Sequence, residues 1–252
     1  MLPPRFCLTM TQAQSEVLLG GRVPEDDPLL AAQQFVPYQF IQPLTIYQRV
    51  LEIGVGEGEG TTYLSTSARE VVGVDLIPGH LPRAAQKYRR ANLSFQHMEA
   101  TALRFPEASF DVVCSFQTIE RIPEPQLPGY LAEIKRVMRP TGVCCLSTRN
   151  LAHHRKRGQP YQKSSSYENE FEAWQLHALL LDFFRAIELH GVHPSRTQRA
   201  FHRLKRWGVD RWLPRSVNPI RYYFDHATPD AFLVLPDFSS KALDLIAVCR
   251  FR

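Results

Sequence analysis

The residues best suited to chemistry in this chain are four glycines that alternate with other residues in the segment 50–61, VLEIGVGEGEGT. An apolar run precedes them and a helical pattern follows them. Because glycine has no Cβ, closely spaced glycines let a ligand approach the main chain between a strand and a helix. An acidic residue stands ahead of them, in the order Glu52, Gly54, Gly56, Gly58. This spacing predicts a turn that binds a ligand.

The same spacing excludes two nucleotide-binding motifs. A dinucleotide fingerprint, G-x-G-x-x-G, would need a third glycine where Glu59 or Thr61 stands, and no Gly-Lys-Ser/Thr follows for a P-loop. Glu57 and Glu59 would also oppose a pyrophosphate at the start of a helix. An acidic turn tolerates a ligand that carries positive charge and no phosphate. S-adenosylmethionine, with its sulfonium and amino group, is such a ligand.

The hydrophobic pattern positions this turn within an α/β domain. Short apolar runs alternate with helical segments, which is typical of βαβ units and a parallel sheet that is covered on both faces. Strands are predicted at 49–55, 70–75, 93–98, 110–116, 143–148, 186–192 and 243–251. Helices are predicted on either side of Pro37 within 29–41, and at 61–68, 82–91, 127–138 and 170–184.

The composition indicates a globular protein with an uneven distribution of charge. The 252 residues are 44% hydrophobic and 22% charged, which excludes a disordered or fibrous chain. Residues 1–150 hold 14 Lys and Arg against 15 Asp and Glu, whereas residues 151–252 hold 16 against 10. A basic second half indicates either an anionic partner or a solvated face.

The cysteines and the apolar runs indicate the cellular compartment in which the protein is expected. The five cysteines have no metal-ligand spacing, and four of them lie in apolar, strand-like runs, which fits a reducing environment. No run approaches the ~20 apolar residues of a membrane span. The first residues also lack a continuous apolar stretch of signal-peptide length. A cytoplasmic protein without a membrane span is therefore expected.

Several segments in order, from about residue 20 to 192, resemble the class I S-adenosylmethionine-dependent methyltransferases. The branch is the ubiquinone/menaquinone-biosynthesis type, also called type 11. The resemblance implies a Rossmann-like, doubly wound sheet of seven mostly parallel strands, with the last strand antiparallel. It also implies a single domain over 1–252, with a helical lead-in at 1–45. The segment 193–242, between the sixth and seventh strands, would then be a helical insertion that acts as a lid or acceptor site.

The resemblance also implies which residues hold S-adenosylmethionine and its product S-adenosylhomocysteine, and it implies no metal. Glu52 and the glycines match the motif at the methionine end, and Asp75 matches the carboxylate that binds both ribose hydroxyls. Glu99, where the family usually has Asp, matches the adenine motif. The full set is Tyr38, Glu52, Gly54, Gly56, Gly58, Asp75, Leu76, Glu99, Ala100, Ser115, Phe116 and Gln117.

The residues that would carry out catalysis are less defined. Glu120 follows the fourth strand, and His153 and His154 follow the fifth, so these three are the candidate bases. Methyl transfer needs positioning and desolvation more than a dedicated base. The family commonly has His where this chain has Arg121 and Pro where it has Arg149. Two arginines therefore lie near the expected acceptor entrance, where they would either bind an anionic acceptor or be solvated.

The segment 199–215 is basic and contains three aromatic residues, Phe201, Trp207 and Trp212. Such a pattern indicates either single-stranded nucleic-acid binding or an amphipathic helix with Phe201, Leu204 and Trp207 inward, and the helix is favoured. The leading hypothesis is methyl transfer to a small-molecule or glycan-like acceptor, with oxygen favoured and nitrogen or carbon open. An RNA-directed methyltransferase and a non-catalytic cofactor-binding regulatory or scaffold module are the alternatives. A homodimer is also possible.

Overall fold

The computed structural model describes residues 27–155, 161, 167–212, 214 and 217–251. The helices are α1 (Pro28–Thr45), α2 (Glu59–Leu64), α3 (His80–Lys87), α4 (Leu127–Val137), α5 (Leu151–His154), α6 (Ala173–Leu181), α7 (Arg196–Arg206) and α8 (Pro219–Asp225). The strands are β1 (Arg49–Ile53), β2 (Glu70–Asp75), β3 (Leu93–His97), β4 (Phe110–Phe116), β5 (Met138–Arg149), β6 (Ala186–Pro194), β7 (Phe232–Leu235) and β8 (Asp244–Arg250).

The strands form one twisted sheet in the order β3-β2-β1-β4-β5-β8-β6-β7. Strands β1 to β5 pair in parallel, and β8 is antiparallel to both of its neighbours, β5 and β6. The predicted doubly wound sheet with an antiparallel last strand is thus confirmed. The described part of the chain contains eight strands rather than seven, because β7 pairs with the end of β6. That strand has only four residues and lies inside the insertion, so its pattern is too short to indicate a strand.

The central strand β1 shows why the sheet is covered on both faces. Successive side chains of a strand point to opposite faces. Leu51 and Ile53 are buried in the cluster that includes α4 and α6, whereas Val50 is buried in the cluster that includes α1 and α2. Apolar side chains left in water on either face of the sheet would be costly. This continuous apolar strand therefore requires helices on both faces.

Helix α1 is continuous where the sequence indicated an interruption. The Asp27 carboxylate accepts hydrogen bonds from the main-chain N–H groups of Leu29 and Leu30, which is the usual cap at the start of a helix. The helix then passes through Pro37 and Pro43. A proline removes one N–H donor and crowds the preceding turn, but its fixed φ is helical. Burial of Pro37 against the core offsets this cost, so the predicted break does not occur.

The insertion corrects a second expectation. Helix α7 is amphipathic as predicted, with Phe201 and Leu204 half-buried. Trp207, however, was expected to pack inward and is 67% exposed, and Trp212 is 81% exposed. Trp207 keeps helical geometry, and at about 100° per residue it falls roughly opposite the buried Gln198, so the helix itself places this ring on the exposed side of α7. The role of this insertion in acceptor binding stays a prediction.

The described ranges contain no helix that is both long and apolar enough to cross a bilayer. Cys114, Cys144, Cys145 and Cys249 are buried free thiols within strands, and Cys7 lies outside the described residues. The thiol pKa values are raised by burial, which makes these side chains inert packing groups.

Candidate functional site

A cavity of about 530 Å³ lies at the carboxyl ends of β1, β2 and β4, with α1 along one side. Strand order reverses between β1 and β4, and ligands of doubly wound sheets bind in the crevice at this point. The cavity is lined by nine of the twelve residues that the sequence indicated: Tyr38, Gly54, Gly56, Asp75, Leu76, Glu99, Ala100, Phe116 and Gln117.

Asp75 organises the floor of the cavity from the end of β2. Its Oδ2 accepts a hydrogen bond from the Gly56 N–H at 2.9 Å, and its Oδ1 accepts one from the Ile77 N–H at 2.8 Å. His80 Nδ1 lies 3.6 Å from Oδ2. An ionised carboxylate has about four acceptor positions, so two more donors can bind. The side chain is thus held in place by the main chain and still has capacity to bind two hydroxyl groups.

Gly54 and Gly56 shape the turn for different reasons. Both have positive φ, 83° and 53°. A Cβ on Gly54 would lie 2.2 Å from the Thr118 hydroxyl, so this glycine permits close packing between the two loops. A Cβ on Gly56 would meet no atom within 4 Å. Gly56 therefore faces open space beside Asp75, where a ligand can approach its main chain.

Tyr38 and Glu52 form a buried pair beneath the cavity. The Tyr38 hydroxyl donates to Glu52 Oε1 at 2.5 Å, and its ring packs edge-on against Phe116. Glu52 is fully buried and does not line the cavity. Burial raises the pKa of Glu52 to about 7, although the hydrogen bonds from Tyr38 and Thr61 oppose that rise. Glu52 therefore acts on the cavity through Tyr38.

Gly58 and Ser115, which the sequence also indicated as cofactor-binding residues, lie behind the cavity wall. Gly58 begins α2 at φ 82°, and a Cβ there would lie 2.8 Å from the Cβ of Ala84. The Ser115 hydroxyl donates to the Ile53 carbonyl at 3.0 Å and is fully buried. Both residues support the strands and the turn that carry the lining residues.

The adenine-motif residues lie at the far end of the cavity. Leu76 and Ile77 are more than half exposed, and Met98 and Ala100 line the cavity beside them. These side chains form an apolar section suited to a flat aromatic ring. Glu99 accepts a hydrogen bond from the Thr101 hydroxyl at 2.7 Å, which fixes its carboxylate at the rim.

Gln117 lies where β4 ends and has an unusual backbone conformation. Its φ is 50°, a left-handed value that costs about 1–2 kcal/mol for a residue with a Cβ. Its main-chain N–H donates to the Ser147 carbonyl at 3.0 Å, and its side-chain Nε2 is buried without a protein acceptor. Gln117 thus combines a strained backbone with an unpaired, buried side-chain amide in the cavity wall, which marks it as a candidate functional position.

The turn that follows β4 carries Arg121 and, behind it, Glu120. Arg121 lines the cavity and makes no ion pair with any residue that the structure describes. Glu120 is 2% exposed and points away from the cavity, and burial raises its pKa to about 7. Its main-chain carbonyl accepts hydrogen bonds from the N–H groups of Glu168 and Asn169, so the segment 167–171 packs over this turn.

Arg149 approaches the same region from the end of β5. Its Cζ lies 5.3 Å from the ring centroid of Tyr167, and the Cζ of Arg121 lies 6.0 Å from that centroid. Arg149 Nη2 lies 3.1 Å from His154 Nδ1. Burial, followed by the charge of Arg149, lowers the pKa of His154 to about 4, so this imidazole is neutral near pH 7. His153 Nδ1 lies 3.0 Å from the Ser240 carbonyl.

The three candidate bases thus lie outside the cavity lining: Glu120, His153 and His154. Sequence reasoning missed several residues that do line it, among them Phe35, Thr118 and Gln126. These residues reach the cavity because α1 or a turn carries them there. They belong to no sequence motif that could have indicated them. Among the described residues, no three His, Cys, Asp or Glu side chains gather as a metal site would require.

The family model described as a methyltransferase domain matches residues 51–146. A probable S-adenosylmethionine-dependent methyltransferase of Mycobacterium tuberculosis strain H37Rv is 31% identical over 225 residues, which cover 84% of this chain and 80% of that protein. The chain belongs to the S-adenosylmethionine-dependent methyltransferases. This methyltransferase therefore uses S-adenosylmethionine, as the glycine turn and Asp75 indicated.

Two further comparisons bear on the fold and the acceptor. A solved structure from Thermotoga maritima, described as an S-adenosylmethionine-dependent methyltransferase and possible histamine N-methyltransferase, has a TM-score of 0.60. It is 13% identical, with 88% of this chain and 90% of that chain covered, and so supports the fold alone. A fatty-acid O-methyltransferase of Mycolicibacterium smegmatis is 33% identical over 97 residues, which cover 38% of this chain and 35% of that protein.

Proposed function

We propose that this methyltransferase transfers the methyl group of S-adenosylmethionine to a carboxylate oxygen of a small acceptor. The observation that carries the proposal is the Arg121 guanidinium, which lines the cavity without an ion-pair partner among the described residues. Arg149 does not line the cavity, but its guanidinium lies beside the same Tyr167 ring and adds a second cation close to Arg121. Guanidinium groups bind carboxylates through paired, charge-assisted hydrogen bonds.

The residues around the glycine turn fit the cofactor. Asp75 has two free acceptor positions for the ribose hydroxyls, and the Gly56 main chain is open beside it. Glu57 and Glu59 add negative charge near the turn, where the sulfonium and amino group are favoured. When bound, S-adenosylmethionine supplies a methyl group on a positively charged sulfur.

A carboxylate acceptor accounts for the lack of a base near Arg121 among the described residues of the cavity wall. The neighbouring lining residues there are Gln117, Thr118 and Gln126, none of which removes a proton at neutral pH. An alcohol acceptor would need such a group, whereas a carboxylate is already ionised because its ordinary pKa is about 4. The protein then has to hold one oxygen in line with the methyl group and exclude water.

One relative supports the acceptor atom. The Mycolicibacterium smegmatis protein is named a fatty-acid O-methyltransferase, and a fatty acid presents a carboxylate oxygen. The alignment spans about a third of that protein, so the likeness supports the class of acceptor and not its chain length.

The proposal is tested by steady-state kinetics with a panel of carboxylic acids. Arg121→Gln and Arg149→Gln are each expected to raise KM for the acid about 10- to 100-fold, because one charge-assisted contact is worth about 1.5–3 kcal/mol. The KM for S-adenosylmethionine is expected to stay unchanged. Arg250→Gln is the matched control, since Arg250 pairs with Glu188 at the opposite edge of the sheet. An unchanged KM for the acid in both arginine variants would refute the assignment.

A further inference from the structure

Helix α7 presents an unusually basic face to solvent. Residues 196–212 contain six Arg and Lys and one Asp. At 100° per residue, four exposed arginines fall within an arc of about 80° on one side of α7: Arg196, Arg199, Arg203 and Arg206. In the described parts of the chain, none of the six cations forms an ion pair. This face therefore carries a cluster of uncompensated positive charge.

Large apolar side chains are exposed at the end of the same helix. Trp207 follows Arg206 and falls on the arginine face, because its N–H donates to the Arg203 carbonyl. It is 67% exposed, and Trp212 and Val217 are 81% and 65% exposed. A group of exposed large apolar side chains, unlike a single one, marks a surface that meets another phase or molecule.

One hydrogen bond joins these residues into a single surface. Asn218 Nδ2 donates to the Asp210 carbonyl at 2.5 Å, which ties the start of α8 to the turn Val209–Arg211. Val217 and Trp212 are thereby held at one corner of the molecule, next to the end of α7. We call this surface the basic corner; it consists of Arg196, Arg199, Arg203, Arg206, Trp207, Arg211, Trp212 and Val217.

A groove of about 420 Å³ borders the basic corner. Arg199, Arg203 and Arg206 lie along it, and Leu29 and Leu243 form part of its apolar wall. An apolar groove edged by cations is complementary to a molecule that joins hydrocarbon to a negatively charged head.

We propose that the basic corner binds the surface of an anionic lipid bilayer. The arginines lie against the negatively charged head groups, and Trp207 and Trp212 insert their rings at the boundary between head groups and acyl chains, where indole rings concentrate. The aliphatic Val217 and the apolar groove favour lipid over single-stranded RNA, whose bases stack on aromatic rings and do not need aliphatic surface. This inference does not depend on the identity of the methyl acceptor.

The test is sedimentation of the full chain with lipid vesicles. Vesicles of phosphatidylcholine mixed with phosphatidylglycerol are expected to retain the protein at low salt and to lose it at high salt. Vesicles of phosphatidylcholine alone are expected to retain little. Arg203→Gln with Arg206→Gln is expected to weaken binding about tenfold or more, since each surface cation contributes to adsorption. Equal binding to both kinds of vesicle, or to neither, would overturn the proposal.

The tryptophans allow a matched comparison. Trp174 on α6 is also 67% exposed, and its Nε1 donates to Glu172, an acidic residue outside the basic corner. Trp207→Ala with Trp212→Ala is expected to weaken vesicle binding about tenfold or more, whereas Trp174→Ala leaves it unchanged. The Trp174→Ala variant keeps only Trp207 and Trp212, so its fluorescence reports on these two side chains. A blue shift of their emission on anionic vesicles is expected.

Two results would contradict the lipid assignment in this comparison. One is a Trp207→Ala/Trp212→Ala protein that binds vesicles as the wild type does, with cofactor-induced thermal stabilisation as the check that it is folded. The other is retention of single-stranded RNA, lost in the same variants, by a protein that does not bind anionic vesicles. That outcome would assign the basic corner to nucleic acid.

Discussion

The hydroxyl of Tyr38 lies 2.5 Å from Oε1 of Glu52, and this contact joins α1 to the central strand β1 beneath the cofactor cavity. Glu52 is fully buried, and its carboxyl would be costly there without a donor. The ring of Tyr38 lies over Gly60, where an added Cβ would come within 2.0 Å of it. The wall of the cavity thus depends on a buried hydrogen bond.

Tyr38→Phe keeps this ring and removes the donor. We expect a loss of about 1–3 kcal/mol in the free energy of unfolding, because the buried Glu52 carboxyl loses the hydrogen bond from Tyr38. Urea titration measures this loss. Tyr47→Phe is the control, since Tyr47 is 82% exposed. Equal stability of the Tyr38→Phe and wild-type proteins would show that the contact contributes nothing.

Gly56→Ala tests whether the cofactor approaches the main chain, and Gly60→Ala tests packing against Tyr38. Gly56 has open space around it, so alanine costs only the left-handed strain of about 1–2 kcal/mol while it obstructs the cofactor. Gly60→Ala collides with the Tyr38 ring and is expected to prevent stable folding. Calorimetric titration with S-adenosylhomocysteine should show weaker binding to Gly56→Ala. Wild-type affinity in that variant would mean that the cofactor does not approach Gly56.

Asp75→Ala removes the acceptor that holds the Gly56 and Ile77 N–H groups and that we expect to bind the ribose. We expect Kd for S-adenosylhomocysteine to rise about 100-fold, since two charge-assisted hydrogen bonds of about 1.5 kcal/mol each are lost. Asp111→Asn tests specificity, because Asp111 pairs with Arg139 away from the cavity. That variant should lose stability and keep its affinity. Similar Kd values for Asp75→Ala and wild type would remove Asp75 from the ribose contact.

Three buried carboxyl groups predict an unusual dependence of stability on pH. Burial raises the pKa values of Glu52 and Glu120 to about 7 and that of Asp244 to about 6. The folded protein therefore binds more protons than the unfolded chain between about pH 4 and pH 7. Its free energy of unfolding should be highest at the acid end of that window and fall as the pH rises, by up to ~3 kcal/mol for each glutamate.

The measurement is urea unfolding at a series of pH values. Glu120→Gln should flatten the decline, and Glu188→Gln, at an exposed carboxylate paired with Arg250, should leave it as it is. Asp111 and Glu133 have lowered pKa values, so the stability that they add is lost only below this window. A free energy of unfolding that rises steadily from pH 5 to pH 7 would contradict the raised pKa values of Glu52, Glu120 and Asp244.

Local sequence patterns were sufficient to predict the strands of the sheet and the glycine turn. The apolar strands and the glycine turn placed Gly56 and Asp75 together, because carboxyl ends of neighbouring parallel strands meet at one edge of a sheet. Tyr38 was indicated only by family likeness. Its contact with Glu52 could not be inferred from spacing, since it depends on how α1 crosses the sheet.

Tertiary packing decided the features that sequence reasoning missed. Burial of Pro37 keeps α1 continuous, and the helical position of Trp207, away from the buried Gln198, leaves its ring in solvent. Arg121 and Arg149 were expected near one entrance, but their shared neighbour Tyr167 comes from a distant segment. Glu120 was a candidate base by position, and the turn that carries it directs the side chain into the interior instead.

The central claim is that a carboxylate oxygen receives the methyl group. It is tested most directly by incubating the protein with methyl-labelled S-adenosylmethionine and carboxylic acids of different chain lengths, and then treating the products with alkali. A methyl ester releases its label as volatile methanol, whereas an ether, an N-methyl or a C-methyl group does not. We predict alkali-released label that falls with Arg121→Gln. Label that resists alkali, or no transfer to any acid by a protein that binds the cofactor, would contradict the claim.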